Sequence, residues 1–187
     1  MIETGELRKG STLEMDGKLY QVIEVDHLKI GRGSAQVRMK LRDLREGHIV
    51  DKSVQAGARF TRARVERQEA QYLYAEGPLY YFMNTATYDQ FPLNTSHLGE
   101  AMDYLKENST CNLLMYGDEP VGIELPSSVE LAVTETDSWV RGDTAQGGTK
   151  PAKLETGISV NVPLFVNTGD VLRIDTRTGE YLERAGK

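Results

Sequence analysis

Short runs rich in Val, Ile, Leu, Tyr and Thr recur along all 187 residues of this chain, and Gly, Pro, Asp or Asn bound them. β-Branched and aromatic residues favour strands, whereas the bounding residues favour turns. No low-complexity segment or short regular repeat interrupts this pattern. The sequence therefore predicts a mostly β protein.

The first two runs predict strands over residues 19–25 and 35–41. Side chains alternate between the two faces of a strand, so Arg38, Lys40 and Arg42 are expected to share one face. Residues between these strands form a longer connection than the two-residue turn of most hairpins. The connecting loop is therefore expected to project from the sheet.

The runs at 71–74 and 79–83 flank Ala75-Glu-Gly-Pro78 and predict a hairpin with aromatic partners across its strands. Residues 171–181 predict another hairpin. One helix is expected, with Ser96 as its N-cap. Its apolar face would contain Leu98, Ala101, Met102 and Leu105.

The chain is longer than one typical domain, and the pattern favours several small ones. We predict three units, at residues 1–64, 65–128 and 129–187, each the size of a small β-barrel. Open Greek-key barrels and up-and-down barrels produce similar patterns, so the topology of each unit stays open.

Charge is distributed unevenly along the chain, which has a net charge of −6. Residues 1–64 carry 13 Lys and Arg against 9 Asp and Glu, whereas residues 65–128 carry 2 against 10. Residues 129–187 carry 7 against 9. The positive first unit is therefore the one expected to face RNA phosphates.

The residue types that carry enzyme chemistry are scattered. His27, His48 and His97 lie in no HxxxH or HExxH frame, and the single Cys111 cannot form a cysteine zinc cluster. Gly31-Arg-Gly33 lies between two strands, whereas a phosphate-binding loop opens a helix. The sequence therefore predicts no catalytic residue, no metal site and no cofactor.

The expected location is the cytoplasm. No apolar run is long enough to span a bilayer, and the start, Met1-Ile-Glu-Thr-Gly-Glu, does not resemble a signal peptide. A single cysteine fits a reducing compartment. We therefore expect a soluble monomer with no membrane partner.

The feature that stands out is Arg32, between Gly31 and Gly33 and preceded by Lys29 in the projecting loop. Glycines allow the backbone to turn through positive φ and to pass close to another molecule. Arginine cannot act as a general base at physiological pH, but its planar fork of donors can bind phosphate or stack on a base. An ordinary solvated turn would have the same composition. The basic residues of the strand behind the loop favour the alternative, a loop that binds RNA.

Two further segments have residue types that occur in binding sites. The tyrosines at 72, 74, 80 and 81 lie in the acidic unit, so packing within the sheet is favoured over base stacking. Residues 139–150 form a long polar loop with three glycines. Loops of this kind are either functional or disordered, and composition does not choose between them.

Residues 150–169, which read KPAKLETGISVNVPLFVNTG, fit the C-terminal signature of one known family, and residues 125–136 and 175–181 also resemble it. Because three separated stretches agree in the same order, the whole chain resembles the bacterial elongation factor P family. The resemblance implies an SH3-like or KOW-like first domain and two OB-fold domains in an L-shaped arrangement that mimics transfer RNA.

The resemblance also implies partners and an activity. The chain would bind the 70S ribosome between the P and E sites and contact P-site peptidyl-tRNA and ribosomal RNA. It would stimulate peptide bond formation at ribosomes stalled on consecutive prolines by positioning the peptidyl-tRNA, without being an enzyme.

The resemblance further assigns roles to particular residues. Arg32 would be the functional tip and a candidate site of covalent modification, for example with rhamnose by a glycosyltransferase. The segment Gly142-Asp143-Thr144 would face the E-site codon. Contacts to transfer or ribosomal RNA are expected from Lys29, Gly31, Gly33, Arg38, Lys40 and Arg42.

Two alternatives stay open. An elongation-factor-P-like paralogue would share the fold and relieve other stalling motifs, although the compact stretch from Lys29 to Ala35 favours the main family. A general RNA-binding OB-fold protein would act away from ribosomes.

Overall fold

The computed structural model describes residues 1–28, 35–138 and 148–186. Within these ranges the strands form three antiparallel sheets that follow one another along the chain, over residues 2–62, 66–124 and 128–184. The mostly β prediction is confirmed. The domain borders and the L-shaped arrangement stay predictions.

The first sheet has the order β1-β6-β2-β3-β4-β5. Its strands are β1 (Ile2–Glu3), β2 (Thr12–Met15), β3 (Lys18–Leu28), β4 (Gln36–Asp43), β5 (Ile49–Gln55) and β6 (Arg59–Arg62). A 3-10 helix over Thr4–Glu6 follows β1. In β4, Val37, Met39 and Leu41 are buried while Arg38 is exposed, which confirms the predicted alternation.

The second sheet has the order β11-β10-β7-β8-β9. Its strands are β7 (Glu66–Glu76), β8 (Leu79–Asn84), β9 (Gln90–Asn94), β10 (Thr110–Tyr116) and β11 (Glu119–Glu124). The edge strands β9 and β11 contact each other, so the sheet curls towards a barrel. The predicted aromatic pairing is confirmed, since the rings of Tyr74 and Tyr81 stack with centroids 4.8 Å apart.

The third sheet has the order β14-β13-β12-β15-β16. Its strands are β12 (Ser128–Thr136), β13 (Thr149–Leu154), β14 (Ser159–Pro163), β15 (Val171–Asp175) and β16 (Tyr181–Arg184). Strands β14 and β16 approach each other across the open side of the curled sheet. The predicted hairpin near the C-terminus corresponds to β15 and β16.

Each sheet encloses an apolar core of its own. Leu13 and Met39 are fully buried in the first, Phe82 and Leu113 in the second, and Leu172 in the third. Each such side chain contributes roughly 1.5–3 kcal/mol when it leaves water. Three separate cores explain why the runs of strand-forming residues continue from one end of the chain to the other.

A fourth apolar cluster joins the first sheet to the second. It contains Leu19, Leu44 and Ala63 from the first unit and Leu114 and Val121 from the second, all of them buried. Beside this cluster, the Arg45 guanidinium donates two hydrogen bonds, of 3.2 and 3.0 Å, to the Glu119 carboxylate. The packing fixes the orientation of the first sheet on the second. We call this contact the junction.

The helix after β9 differs from the sequence prediction. Asn94, and not Ser96, is the N-cap, because the Asn94 side chain accepts a hydrogen bond from the Ser96 amide. The α-helix α1 covers only Thr95–Leu98. Gly99 then takes a φ of +53°, so the chain continues as a 3-10 helix over Gly99–Tyr104. This positive φ, which glycine adopts without strain, ends the α-helix at Leu98, and the prediction of one continuous helix was wrong.

The end of this 3-10 helix contacts the third unit. Tyr104 packs against the core of the third sheet, and Lys106 lies 3.1 Å from the Glu155 carboxylate. A Cβ atom built on Gly179, at the turn between β15 and β16, would lie 3.0 Å from the Tyr104 hydroxyl. The segment from 95 to 106 therefore links the second and third units.

Gly47 provides a test of the junction. A Cβ atom at Gly47 would lie 1.9 Å from the Ser96 carbonyl oxygen, and the residue has a φ of +75°. We expect Gly47→Ala to lower stability by about 2–4 kcal/mol, through backbone strain and through separation of the two units. Calorimetric unfolding measures this loss.

Gly57→Ala is the matched control. Gly57 has a φ of +87°, but nothing lies within 4 Å of the added methyl group. The Gly57→Ala substitution should lower the free energy of unfolding through backbone strain alone, by roughly 1–2 kcal/mol. Equal losses in the two variants would contradict the close contact at the junction.

Candidate functional site

The hairpin of β3 and β4 carries the predicted tip. The two strands pair from Tyr20 opposite Asp43 to Leu28 opposite Gln36. His27, Leu28 and Gln36 are exposed, so the hairpin extends beyond the core of the first sheet. Four predicted contact residues lie outside the described residues: Lys29, Gly31, Arg32 and Gly33. Their roles stay predictions.

The exposed face of this hairpin has alternating charges and is not uniformly basic. Opposite pairs share a face in an antiparallel sheet, and the register places Glu24 opposite Lys40 and Asp26 opposite Arg38. Asp51 lies opposite Lys40 on β5 and 3.9 Å from Arg38. Arg38 and Lys40 do share one face, as predicted, but three carboxylates accompany them. Sequence reasoning considered one strand and therefore missed the acids on its neighbours.

Arg42 has a different environment. It is half-buried beside the second unit, and a Cβ atom built on Gly99 would lie 3.3 Å from both of its terminal nitrogens. The side chain therefore lies in the cleft next to the junction. Its predicted contact with RNA would have to be made from this cleft.

The predicted codon-facing loop, Gly142, Asp143 and Thr144, also lies outside the described residues. The described ends of this loop are held together, because the buried Lys150 ammonium donates a 2.6 Å hydrogen bond to the Asp137 carbonyl. The bond sets the distance between the loop's two ends.

A cluster of possible metal ligands lies at the turn between β4 and β5. Ligand atoms of Asp43, Glu46 and His48 lie within 4.8 Å of one another. The Lys18 ammonium already occupies this position, 3.0 Å from Glu46 and 3.5 Å from Asp43. A cation from the chain therefore offsets part of the negative charge of the two carboxylates. The sequence contains the spacing Asp-x-x-Glu-x-His, which was not predicted as a metal site.

Asp43 shapes this turn. Its Oδ1 accepts hydrogen bonds from the backbone amides of Arg45 and Glu46, at 2.9 and 3.0 Å. Burial raises the pKa of the Asp43 carboxyl, but the amides of Glu46 and Arg45 and the Lys18 ammonium together lower it below its ordinary value. The ionised carboxylate therefore stabilises the turn beside the junction.

The remaining candidate for catalysis is the thiol of Cys111. It is buried in the second core, and burial raises its pKa to about 12. A thiol that stays protonated is a poor nucleophile. His27 lies on β3, His48 in the turn between β4 and β5, and Cys111 on β10. Among the described residues, the cluster at Asp43 is the one group with metal-ligand spacing.

Comparison with known proteins identifies the family. Residues 3–60 match the elongation factor P KOW-like domain, residues 65–123 its OB domain, and residues 129–184 its C-terminal domain. The chain belongs to the elongation factor P family. This assignment confirms the family resemblance and the predicted KOW-like and OB domains.

Relatives of the family match over their full length. Elongation factor P from Moorella thermoacetica is 54% identical over 99% of this chain and 100% of its own. The protein of that name from Pelotomaculum thermopropionicum is 51% identical over 98% and 100%. As a member of the elongation factor P family, the chain is a translation elongation factor and not a classical enzyme. No helix among the described residues is long and apolar enough to cross a membrane.

Asp43 provides the test of this region. We expect Asp43→Asn to lower the free energy of unfolding by about 1 kcal/mol at pH 7, because it removes the charged partner of Lys18. Since folding lowers the Asp43 pKa, its contribution is fully present above the ordinary value of 3.8 and is lost as pH falls through the folded value. Urea unfolding at several pH values measures the difference.

Asp51→Asn is the control, since Asp51 pairs with Arg38 at an exposed site. Exposed ion pairs contribute roughly 0–1 kcal/mol, so the free energy of unfolding of this variant should be close to that of the wild type. A deficit in Asp43→Asn that stays constant as the pH falls from 7 through the ordinary carboxyl pKa of 3.8 and below it would refute the ionised role of Asp43.

Proposed function

We propose that this elongation factor binds the 70S ribosome between the P and E sites and positions P-site peptidyl-tRNA, so that ribosomes stalled on consecutive prolines resume synthesis. Family membership over the whole chain is the observation that carries this proposal. The long β3–β4 hairpin supports it, because its strands continue past the core towards Arg32. Ribosomal RNA and the peptidyl-tRNA are the proposed contacts.

Arg32 is the proposed acting residue. A guanidinium group keeps its charge at any physiological pH and presents donors in a plane, which suits a phosphate oxygen or the face of a base. With a glycine on either side, its backbone can pass close to RNA. Lys29, Gly31 and Gly33 complete the proposed contact, together with Arg38 and Lys40 on the hairpin.

The factor would order the peptidyl-tRNA and would contribute no group that makes or breaks a bond. The proline of the peptidyl-tRNA resists a reactive geometry. Holding the reactants in a productive geometry can lower the activation barrier by several kcal/mol, up to roughly 7–11 kcal/mol when the reactants are fully preorganised. One or two kcal/mol already change a rate about five- to thirtyfold. The ribosome's own catalytic centre would then form the bond.

A second contact is proposed in the third unit. Gly142, Asp143 and Thr144 would face the E-site codon, and the Lys150 bond to the Asp137 carbonyl would hold the base of that loop. Two contacts at the two ends of the chain would fix the orientation of the factor between the ribosomal sites.

The general RNA-binding alternative predicts a different partner. A protein of that kind would bind free RNA as well as it binds ribosomes at matched salt. The paralogue alternative predicts rescue of stalling sequences other than consecutive prolines. Co-sedimentation with 70S ribosomes and a panel of stalling reporters distinguish the three.

The tip is tested with a triproline reporter. We expect Arg32→Ala to reduce rescue to the level seen without the factor, because the donor fork is lost. Arg59→Ala is the matched control, since Arg59 is an exposed arginine of the same unit that pairs with Glu3. Full rescue by a folded Arg32→Ala protein would refute the proposed role of the tip.

The covalent state of Arg32 is tested separately. We propose that a glycosyltransferase of the native host attaches a sugar such as rhamnose to the guanidinium group. Intact mass of the protein from its host should then exceed the sequence mass by one sugar, and the excess should map to the peptide with Arg32. An unmodified peptide would refute the modification and leave the positioning role standing.

A further inference from the structure

The turn between β4 and β5 brings three metal-ligating side chains together. Ligand atoms of Asp43, Glu46 and His48 lie within 4.8 Å of one another. The Nδ1 atom of His48 lies 3.2 Å from Oε2 of Glu46. Two ligand atoms bound to a tetrahedral zinc ion at about 2.0–2.1 Å are separated by roughly 3.3 Å. We call these three residues the turn cluster.

Asp43 supplies a buried oxygen atom that faces the cluster. Its side chain is only 2% exposed. Its Oδ1 atom accepts the two backbone hydrogen bonds of the turn, whereas its Oδ2 atom has no hydrogen-bond partner among the described residues. The Lys18 ammonium approaches Oδ2 to 3.5 Å, which is longer than the roughly 2.7–3.2 Å of an N–H···O hydrogen bond. A buried carboxylate oxygen without a hydrogen bond is costly, and a metal ion would satisfy it.

The backbone of the turn holds the first and last residues of the cluster together. The Asp43 amide donates a 2.9 Å hydrogen bond to the His48 carbonyl, and the Gly47 amide donates a 2.9 Å bond to the Asp43 carbonyl. The amides that bind Oδ1 also fix the orientation of the Asp43 carboxylate. Hydrogen bonds of this kind orient the ligands of metal sites. Part of the ligand geometry is therefore built into the turn.

Lys18 is the competitor for this position. Its ammonium lies 3.0 Å from Glu46 and 3.5 Å from Asp43. The Lys18 side chain is 44% exposed, so its ammonium can turn into water at little cost. Two carboxylates against one ammonium leave the site negative. A divalent cation in place of the ammonium would bring the charge of the two carboxylates and the neutral imidazole to zero.

The donor set indicates the kind of cation. Mg²⁺ and Ca²⁺ prefer oxygen ligands alone, whereas an imidazole nitrogen beside carboxylate oxygens suits zinc. Three protein ligands leave the fourth tetrahedral position to water. Water can reach that position, because the side chains of Glu46 and His48 are 56% and 47% exposed.

We propose that the turn cluster is a zinc site, in which Zn²⁺ displaces the Lys18 ammonium and is bound by Asp43 Oδ2, Glu46 and His48 Nδ1. This site is separate from the tip, and the proposal does not depend on the proposed function.

Bound zinc would act on the junction, because the same turn carries residues that contact the second unit. Leu44 is buried in the apolar cluster of the junction, and Arg45 donates two hydrogen bonds to Glu119. Gly47 lies against the Ser96 carbonyl. A metal ion that joins the two ends of the turn would hold these contacts in place. Zinc binding is therefore expected to stabilise the docking of the first unit on the second.

The test uses the full-length chain without an affinity tag, treated with EDTA and then dialysed. ZnCl₂ is titrated against the protein in competition with a chromophoric zinc chelator. The wild type should bind one zinc ion. His48→Gln should bind at least about tenfold more weakly, since even the loss of an outer-shell partner has an effect of that size. Lys18→Met should bind about fivefold more tightly, because zinc no longer displaces an ammonium group from exposed ion pairs.

The gain expected for Lys18→Met keeps the test decisive, because misfolding cannot produce it. Wild-type affinity in both variants, or no zinc binding by the wild type, would overturn the proposal. MgCl₂ in excess should not displace the zinc. If it does, the imidazole is not a ligand and the assignment to zinc is wrong.

His27→Gln is the matched control, since His27 is an exposed histidine of the same unit and lies on β3, outside the cluster. Its zinc affinity should equal that of the wild type. An equal loss in His27→Gln and His48→Gln would show that exposed histidines bind zinc adventitiously, and it would overturn the proposal.

Thermal unfolding tests the effect on the junction. Zinc at ten times its dissociation constant should raise the unfolding midpoint of the wild type by roughly 3–6 °C and leave that of His48→Gln unchanged. An equal rise in both proteins would contradict binding at the turn cluster. The triproline reporter with Arg32→Ala reads out the proposed function, so the two proposals can fail independently.

Discussion

The apolar packing at the junction is the interaction on which the functional geometry depends. Leu19 and Leu44 of the first unit meet Leu114 and Val121 of the second, and all four side chains are buried. Gly47 makes this approach possible, since any side chain there would overlap the Ser96 carbonyl. The direction in which the β3–β4 hairpin extends is therefore set by a contact remote from its tip. A loosened junction would misplace the tip without changing any tip residue.

In this acidic chain, the charge of each surface depends on which residues lie beside one another more than on the net charge of the protein. The face of β4 that looks basic in the sequence is balanced by carboxylates on β3 and β5. Arg42, Arg62 and Arg64 have no carboxylate within 4 Å among the described residues, and all three line one groove beside the junction. Lys18 shows the same principle on a smaller scale, because its ammonium group offsets part of the negative charge of Asp43 and Glu46 at the turn beside the junction.

Local patterns predicted local structure well. The alternation in β4 is borne out by buried Val37 and Met39, and the aromatic hairpin is borne out by the stacked Tyr74 and Tyr81. The helix was predicted less well, because apolar spacing at Leu98 and Leu105 is also satisfied by a short α-turn followed by a 3-10 segment. The positive φ of Gly99 decides between the two, and the spacing of apolar residues carries no information about it. Asn94 was missed as N-cap for the related reason that two polar residues near a helix start compete for that role.

By itself, the sequence determined the mostly β class, the division into small units and the family, because strand periodicity, turn residues and signature stretches are local properties. Only the tertiary structure decided which charges are neighbours. Strand register places Glu24 beside Lys40, and docking of the first two units places Arg42 beside Gly99. Both depend on residues distant in sequence, since electrostatic partners are chosen by distance in space. For this reason the environment of Arg42 emerged from the structure, whereas the arginine of the tip was already evident in the sequence.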